Sequence, residues 1–189
     1  MNESVIELAG ARLVPLASGG LYWPEERLLC VSDLHLGKSD RIARRGGTML
    51  PPYETRDTLA RIESDLTATG AKTLICLGDS FDDRAAAESL DDSEVEWILR
   101  LQAGRRWVWI EGNHAPGPVT LAGTYRAEIP IGPLVFSHIA TADANGEVSG
   151  HYHPKAELNA RGRRVSRRCF LWDGARVVMP AYGTYTGGL

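Results

Sequence analysis

Lys72-Thr-Leu-Ile-Cys-Leu-Gly-Asp-Ser-Phe-Asp82 is a short apolar run that breaks off at a Gly-Asp step into an acidic loop. The run from Thr73 to Leu77 is too short for a helix and reads as a strand buried on both faces. Just upstream, Glu54 to Thr69 carries Leu59, Ile62 and Leu66 at the three-and-four spacing of an amphipathic helix, and Gly70 ends it. Before that, Arg27-Leu-Leu-Cys-Val-Ser32 again reads as a buried strand running into a loop. Downstream, Ser93 to Ala103 reads as a helix, apolar at Val95, Trp97, Ile98 and Leu101, with Ser93 and Glu96 spaced as a capping box. Arg106-Trp-Val-Trp-Ile110 is the next strand. This alternation of strand and helix builds an α/β sheet.

Farther out the pattern changes. Val5 to Trp23 is β-rich, and Leu134 to Ser137, Arg164 to Trp172 and Arg176 to Met179 read as strands with no helix between them. Asp173-Gly174 is a two-residue hairpin signal joining the last two. The expected fold is therefore α/β, with two facing mixed β-sheets flanked by helices. No repeat or linker-like stretch interrupts residues 1–189, so one domain is expected.

With 43% hydrophobic and 24% charged residues, the 189-residue chain has globular composition, which excludes disordered and fibrous classes. Its apolar runs fall far short of the ~20 residues a membrane helix needs. The start, Met1-Asn-Glu-Ser-Val-Ile-Glu, has no basic region before an apolar one, so a cytoplasmic protein with no membrane association is expected. Cys30, Cys76 and Cys169 are far apart in apolar runs, which argues for small buried hydrophobes over a disulfide framework or thiolate zinc site. Net charge is −3, yet cations cluster: Arg161, Arg163, Arg164, Arg167 and Arg168 crowd one segment, and Arg41, Arg44 and Arg45 another. Acids gather elsewhere, from Asp79 to Asp83 and Glu88 to Glu96, so separated charge can present a phosphate-binding surface.

The chain holds 5 histidines, and all sit at or soon after strand ends: Asp33-Leu-His35, Gly112-Asn113-His114, Ser137-His138 and Gly150-His151-Tyr-His153. Gly78-Asp79-Ser-Phe-Asp82 occupies the loop between the first two. A single Asp-x-His is weak and a lone histidine is more often a hydrogen-bonded surface residue, but the ordered set on successive loops is not explained that way. Loops beyond strand ends are where open α/β sheets place ligands. Carboxylate, imidazole and amide oxygen suit manganese, iron or zinc. Asp33, His35, Asp79, Asn113, His138, His151 and His153 are too many for one tetrahedral ion and suit two ions holding an attacking hydroxide.

Taken together, these motifs resemble the calcineurin-like metallophosphoesterase superfamily, whose ordered pattern is matched from Asp33 to His153. The resemblance implies that one metal takes Asp33, His35, Asp79 and His153. It implies that the other takes Asp79, Asn113, His138 and His151, with Asp79 bridging and His114 facing the scissile phosphate. The superfamily pattern has Asp or Glu after Gly-Asn-His, where this chain has Ala115, and alanine there implies slower turnover with both metals retained. Further stretches are similar to the ligase-associated DNA-damage-response endonucleases: Trp23-Pro24-Glu25, Ser32-Asp-Leu-His-Leu-Gly-Lys-Ser39, Leu50-Pro-Pro-Tyr-Glu-Thr55, Cys76-Leu-Gly-Asp-Ser-Phe81 and Pro180-Ala-Tyr-Gly-Thr-Tyr-Thr-Gly-Gly188. That likeness implies a manganese-dependent endonuclease or phosphodiesterase acting on single-stranded DNA in bacterial DNA repair, alongside a DNA ligase, a helicase and an exonuclease.

Lys38, Arg45, Tyr53, Arg163 and Arg164 are the expected substrate contacts, arginines for phosphates and Tyr53, with Trp23, Tyr152, Tyr182 and Tyr185, for base stacking. Two alternatives use the same motifs: a phosphatase or phosphodiesterase for a small metabolite or nucleotide, and a metal-binding scaffold with weak catalysis. The intervals between His114, His138 and His151 leave no room for an inserted cap, which favours an open site and a polymeric substrate.

Overall fold

A computed structural model of the chain describes residues 4–47, 50–114, 121–160 and 162–186. A seven-stranded sheet is ordered as the chain runs: β1 (Ile6–Leu8), β2 (Ala11–Pro15), β3 (Leu21–Trp23), β4 (Leu28–Ser32), β5 (Thr73–Leu77), β6 (Arg106–Ile110) and β7 (Thr124–Arg126). The first four form an antiparallel meander, and β4 to β7 are parallel. The parallel crossovers carry α1 (Lys38–Arg44), α2 (Glu54–Thr69), α3 (Arg84–Glu88) and α4 (Asp92–Gln102). A five-stranded sheet has the order β13-β14-β10-β9-β8, from β8 (Glu128–Ile131), β9 (Leu134–Ser137), β10 (Glu147–Ser149), β13 (Leu171–Trp172) and β14 (Arg176–Val178). Between β10 and β13 the chain makes a separate two-stranded ribbon, β11 (Lys155–Ala160) with β12 (Arg163–Arg168).

The alternation of side chains along a strand sorts the first sheet's residues into two cores. Leu28 and Cys30, Ile75 and Leu77, Val108 and Ile110 pack with Phe136, Val148 and Val177 of the other sheet and with Met179 just beyond it, so the two sheets face each other. Leu29 and Val31, Leu74 and Cys76, Trp107 and Trp109 pack with Leu59, Ile62 and Leu66 of α2 and Ile98 and Leu101 of α4. Burial on both faces is why these strands read as unbroken apolar runs. Cys30 and Cys76 fall on opposite sides of the sheet, both free and fully buried, and burial pushes both thiols up; Cys169 is half-buried.

Three expectations need correction. The capping box of α4 uses Asp91 and Glu94, displaced from Ser93 and Glu96: the Asp91 carboxylate accepts from the Glu94 N–H, and Ser93 spends its hydroxyl on Asp91. The strand expected over Arg164 to Trp172 is broken at Cys169 and Phe170, because Cys169 N–H donates to Pro154 O at the ribbon's base and the chain then joins another sheet. The last hairpin turns at Gly174-Ala175, with the Asp173 carboxylate accepting from Ala175 and Arg176 N–H at 2.8 and 2.9 Å.

Strand direction fixes where the loops meet. Ser32, Leu77 and Ile110 are aligned across β4, β5 and β6, so the loops bearing Asp33, Asp79 and Asn113 leave side by side. In the second sheet β9 and β10 are parallel, so Ser137 and Ser149 deliver His138 and His151 to one edge as well.

Candidate metal centre

Sharp loops aim these side chains. Among the described residues seven non-glycines have positive φ, and five are candidate ligands: Asp33 at 50°, His35 at 45°, Asp79 at 41°, His151 at 70° and His153 at 45°. That region is sparsely populated by residues with a Cβ and costs of order 1–3 kcal/mol each, so it persists where surroundings enforce it. The enforcement is visible. His35 N–H donates to Asp79 O at 2.9 Å and Asp82 N–H to Leu36 O at 3.0 Å, which stitches the first two loops together. Gly183 N–H donates to Asp33 O at 3.2 Å, tying the C-terminal segment to the same loop. Two glycines supply room: a Cβ on Gly112 would lie 2.2 Å from Asp79 Oδ1, and one on Gly150 would lie 1.9 Å from Ser32 Oγ.

Two groups result. Asp33, His35 and His153 each offer a ligand atom within 4.8 Å of the others, and so do Asp79, His138 and His151. Asn113 joins the second group, its Oδ1 lying 2.9 Å from His138 Nε2, which is also 3.3 Å from Asp79 Oδ2. The His114 backbone N–H donates to Asp79 Oδ1 at 2.8 Å. Asp33 uses Oδ2 to accept from Ser32 Oγ and the His151 N–H, while Oδ1 is 3.3 Å from His153 Nε2 without hydrogen-bond geometry. Asp33 Oδ1 and His35 Nε2 are buried and, among the described residues, have no hydrogen-bond partner. Buried polar atoms are rarely left so, and partnerless carboxylate and imidazole atoms beside a third ligand fit a divalent cation.

The electrostatics are consistent with negative charge held ready. Burial opposes the charged form of Asp79, but His138 and the His114 N–H outweigh it and hold the carboxyl at about 2. Asp33 follows the same pattern: burial resists, and His153, Ser32 and the His151 N–H bring its pKa below the usual range. For His138 burial disfavours the imidazolium, yet Asp79 and Asp33 raise its pKa above the usual value. His138 Nδ1–H donates to Leu77 O at 3.2 Å, which aims Nε2 at Asp79 and Asn113.

His114 is exposed, with its ring 5.3 Å from that of His35. Ala115 lies outside the described residues. Lys38 opens α1 directly after the His35 loop, and Arg45 caps its other end, exposed. Arg41 and Arg44 are already engaged, Arg41 with Asp82 and Arg44 with Asp40 and Asp83. Tyr53 and Tyr152 are 52% and 53% exposed, whereas Trp23 and Tyr182 belong to the core and are removed from the stacking candidates. Arg163 is exposed, and Arg164 is paired with Glu157.

Sequence reading missed the role of Asp82. Buried at 1% exposure, its Oδ1 receives the His35 Nδ1–H at 2.7 Å and its Oδ2 pairs with Arg41. Burial works against its charge, and His35 and Arg41 prevail, so its pKa is lowered. This carboxylate fixes the tautomer that leaves His35 Nε2 free for a cation. The signal was the second acid of Gly78-Asp79-Ser-Phe-Asp82, which motif spacing placed but gave no task.

The calcineurin-like phosphoesterase family model matches residues 26–169. A crystal structure of the Pseudomonas putida nuclease MPE is similar over 100% of this chain and 90% of that one, with a TM-score of 0.81 and 32% sequence identity. No curated protein sequence matches the chain significantly.

Proposed function

The chain belongs to the calcineurin-like phosphoesterase family, and we propose that it is a two-metal phosphodiesterase that cuts DNA, single strands in particular. The observation that carries this reading is the convergence of two ligand groups, Asp33/His35/His153 and Asp79/His138/His151, at one edge of two facing sheets. The likeness to a solved nuclease supports the substrate class.

In this reading Asp33, His35, Asp79 and His153 would hold one divalent ion, and Asp79, Asn113, His138 and His151 would hold the other. Two such ions, when bound, would supply water activation and charge neutralisation at the phosphoryl group. The residues do the rest. Asp82 orients His35, and Leu77 O orients His138. The His114 N–H holds Asp79 by its backbone, leaving the exposed imidazole to protonate the departing oxygen or stabilise its charge. Lys38, Arg45, Tyr53 and Tyr152 are the proposed contacts for the DNA strand near the metals. We take manganese as the working ion, and DNA repair in the cytoplasm, beside a ligase, a helicase and an exonuclease, as the setting that the family resemblance suggests.

The deciding experiment incubates the manganese-loaded protein with single-stranded DNA, duplex DNA and a phosphomonoester under one condition. Cleavage of the single strand well above the other two is expected. Phosphomonoester turnover without DNA cleavage would favour the small-metabolite phosphatase, and bound metal with no turnover would favour the scaffold.

A further inference from the structure

The β11–β12 ribbon begins at Lys155, one residue beyond the Pro154 that follows His153, so it grows directly out of the ligand loop. Six residue pairs, from Lys155 with Arg168 to Ala160 with Arg163, give it a length of ~20 Å. It forms a sheet of its own, and Leu158 is 65% exposed. A lone two-stranded hairpin is marginal in water. This one is held at its base, where the Arg168 guanidinium donates to Gly183 O at 2.8 Å and to Tyr182 O and Thr184 O at 3.3 Å.

Alternation gives the ribbon two unlike faces. One carries Glu157, Arg164 and Arg168, and its charges are satisfied internally, Arg164 by Glu157 and Arg168 by the carbonyls just named. The other carries Leu158 opposite Val165, flanked by Arg163 and Arg167, and no carboxylate lies on it. Among the described residues, the bond Arg167 makes is local, to Ser166 O at 2.9 Å. Four residues apart on one strand, the two arginines are separated by about 13 Å, far enough to meet different phosphates. An exposed Leu158 beside a half-buried Val165, set between two guanidinium groups, suits a chain that has base faces between phosphates.

Resting on the nuclease reading above, we infer that the Arg163/Leu158/Val165/Arg167 face is a guiding arm for the single-stranded DNA backbone, which leads the strand toward the two ligand groups. The opposite face takes no part, and Arg164, expected from the sequence as a substrate contact, is withdrawn from that set because Glu157 engages its guanidinium.

The test compares wild type, R163A/R167A and the charge-neutral E157A/R164A, all manganese-loaded, on a long single-stranded oligonucleotide and on bis-p-nitrophenyl phosphate, which is too small to reach the ribbon. R163A/R167A is expected to lower kcat/KM for the oligonucleotide by ~10-fold or more, mainly through KM, and to leave hydrolysis of the small ester at the wild-type rate. The slope of log affinity against log salt should flatten by about 1.4, from ~0.7 per lost phosphate contact. E157A/R164A should stay within ~2-fold of wild type on both substrates, which controls for disturbance of the ribbon itself. An unimpaired R163A/R167A on the oligonucleotide, an equal loss on both substrates, or an equal loss in E157A/R164A overturns the arm. A wild-type protein that hydrolyses the small ester and spares the oligonucleotide overturns the nuclease reading instead.

Discussion

Asp33, His35, Asp79, His151 and His153 were readable as ligand types, but their left-handed backbones were not, because those angles come from the loops around them. The glycines of Gly-Asn-His and Gly-His-x-His show how the two are linked: they leave space for a neighbouring ligand. Gly150→Ala would bring a Cβ to 1.9 Å from Ser32 Oγ and 2.6 Å from Asp33 Oδ2. Overpacking of this kind costs about 1–3 kcal/mol. The expected outcome is a lower Tm together with loss of one bound ion by elemental analysis, and a variant with wild-type metal content would disprove the account. Asp82 is the complementary case, a residue in the quoted motif whose task required the fold. Asp82→Asn keeps the size and removes the charge that fixes His35. A loss of ~10–100-fold in affinity for one of two ions is expected, as for other outer carboxylates behind metal-bound histidines. Calorimetric titration with manganese would show it, and two unchanged binding events would refute it.

The elements divide into those whose signal is local and those whose signal is not. β5, β6 and α2 match the sequence reading from end to end, since a strand buried on both faces and a helix with one apolar stripe and a terminal glycine carry their own boundaries. The capping box expected at Ser93/Glu96 falls instead on Asp91/Glu94, which has the same spacing, and aspartate takes the cap. That choice has a pH signature. The Ser93 hydroxyl, Arg56 and the Glu94 N–H hold the Asp91 carboxyl at about 2, below its unfolded value. A depressed carboxyl adds stability above the unfolded pKa and loses it as pH falls toward the folded one. Asp91→Asn should therefore lower Tm slightly at neutral pH, and the gap from wild type should close between about pH 4 and pH 2. A gap that stays constant down to pH 2 would mean that the charge is not what stabilises the cap. The ribbon was misread for a different reason: Arg164 to Trp172 is one β-forming run by composition, and only the Pro154–Cys169 bond shows that it serves two sheets.

At the scale of the whole molecule, alternating strands and helices disclosed two sheets but not the direction of the second. Strands with no helix between them suggest hairpins, yet β10 runs parallel to both β9 and β14. Direction matters, because it brings the loops after β9 and β10 to the edge where β4 and β5 end. Each ligand group consequently straddles the two sheets. Asp33 and His35 follow β4 and meet His153 from beyond β10, while Asp79 follows β5 and meets His138 and His151 from beyond β9 and β10. An ion held by either group would join the sheets across the end of their shared core, so metal should stabilise the fold as a whole and not merely its loops. One ion at a hundred times its Kd adds about 2.7 kcal/mol. For a chain of this size that is a rise of ~5–10 °C in Tm per ion. Saturating manganese should raise Tm through two such increments, and a chelator should reverse both. His153→Ala removes the second sheet's ligand from one group, and it should erase one increment while leaving the Tm of the chelated protein near the wild-type value. If manganese leaves Tm unchanged, or if His153→Ala keeps the full rise, the groups do not tie the sheets together.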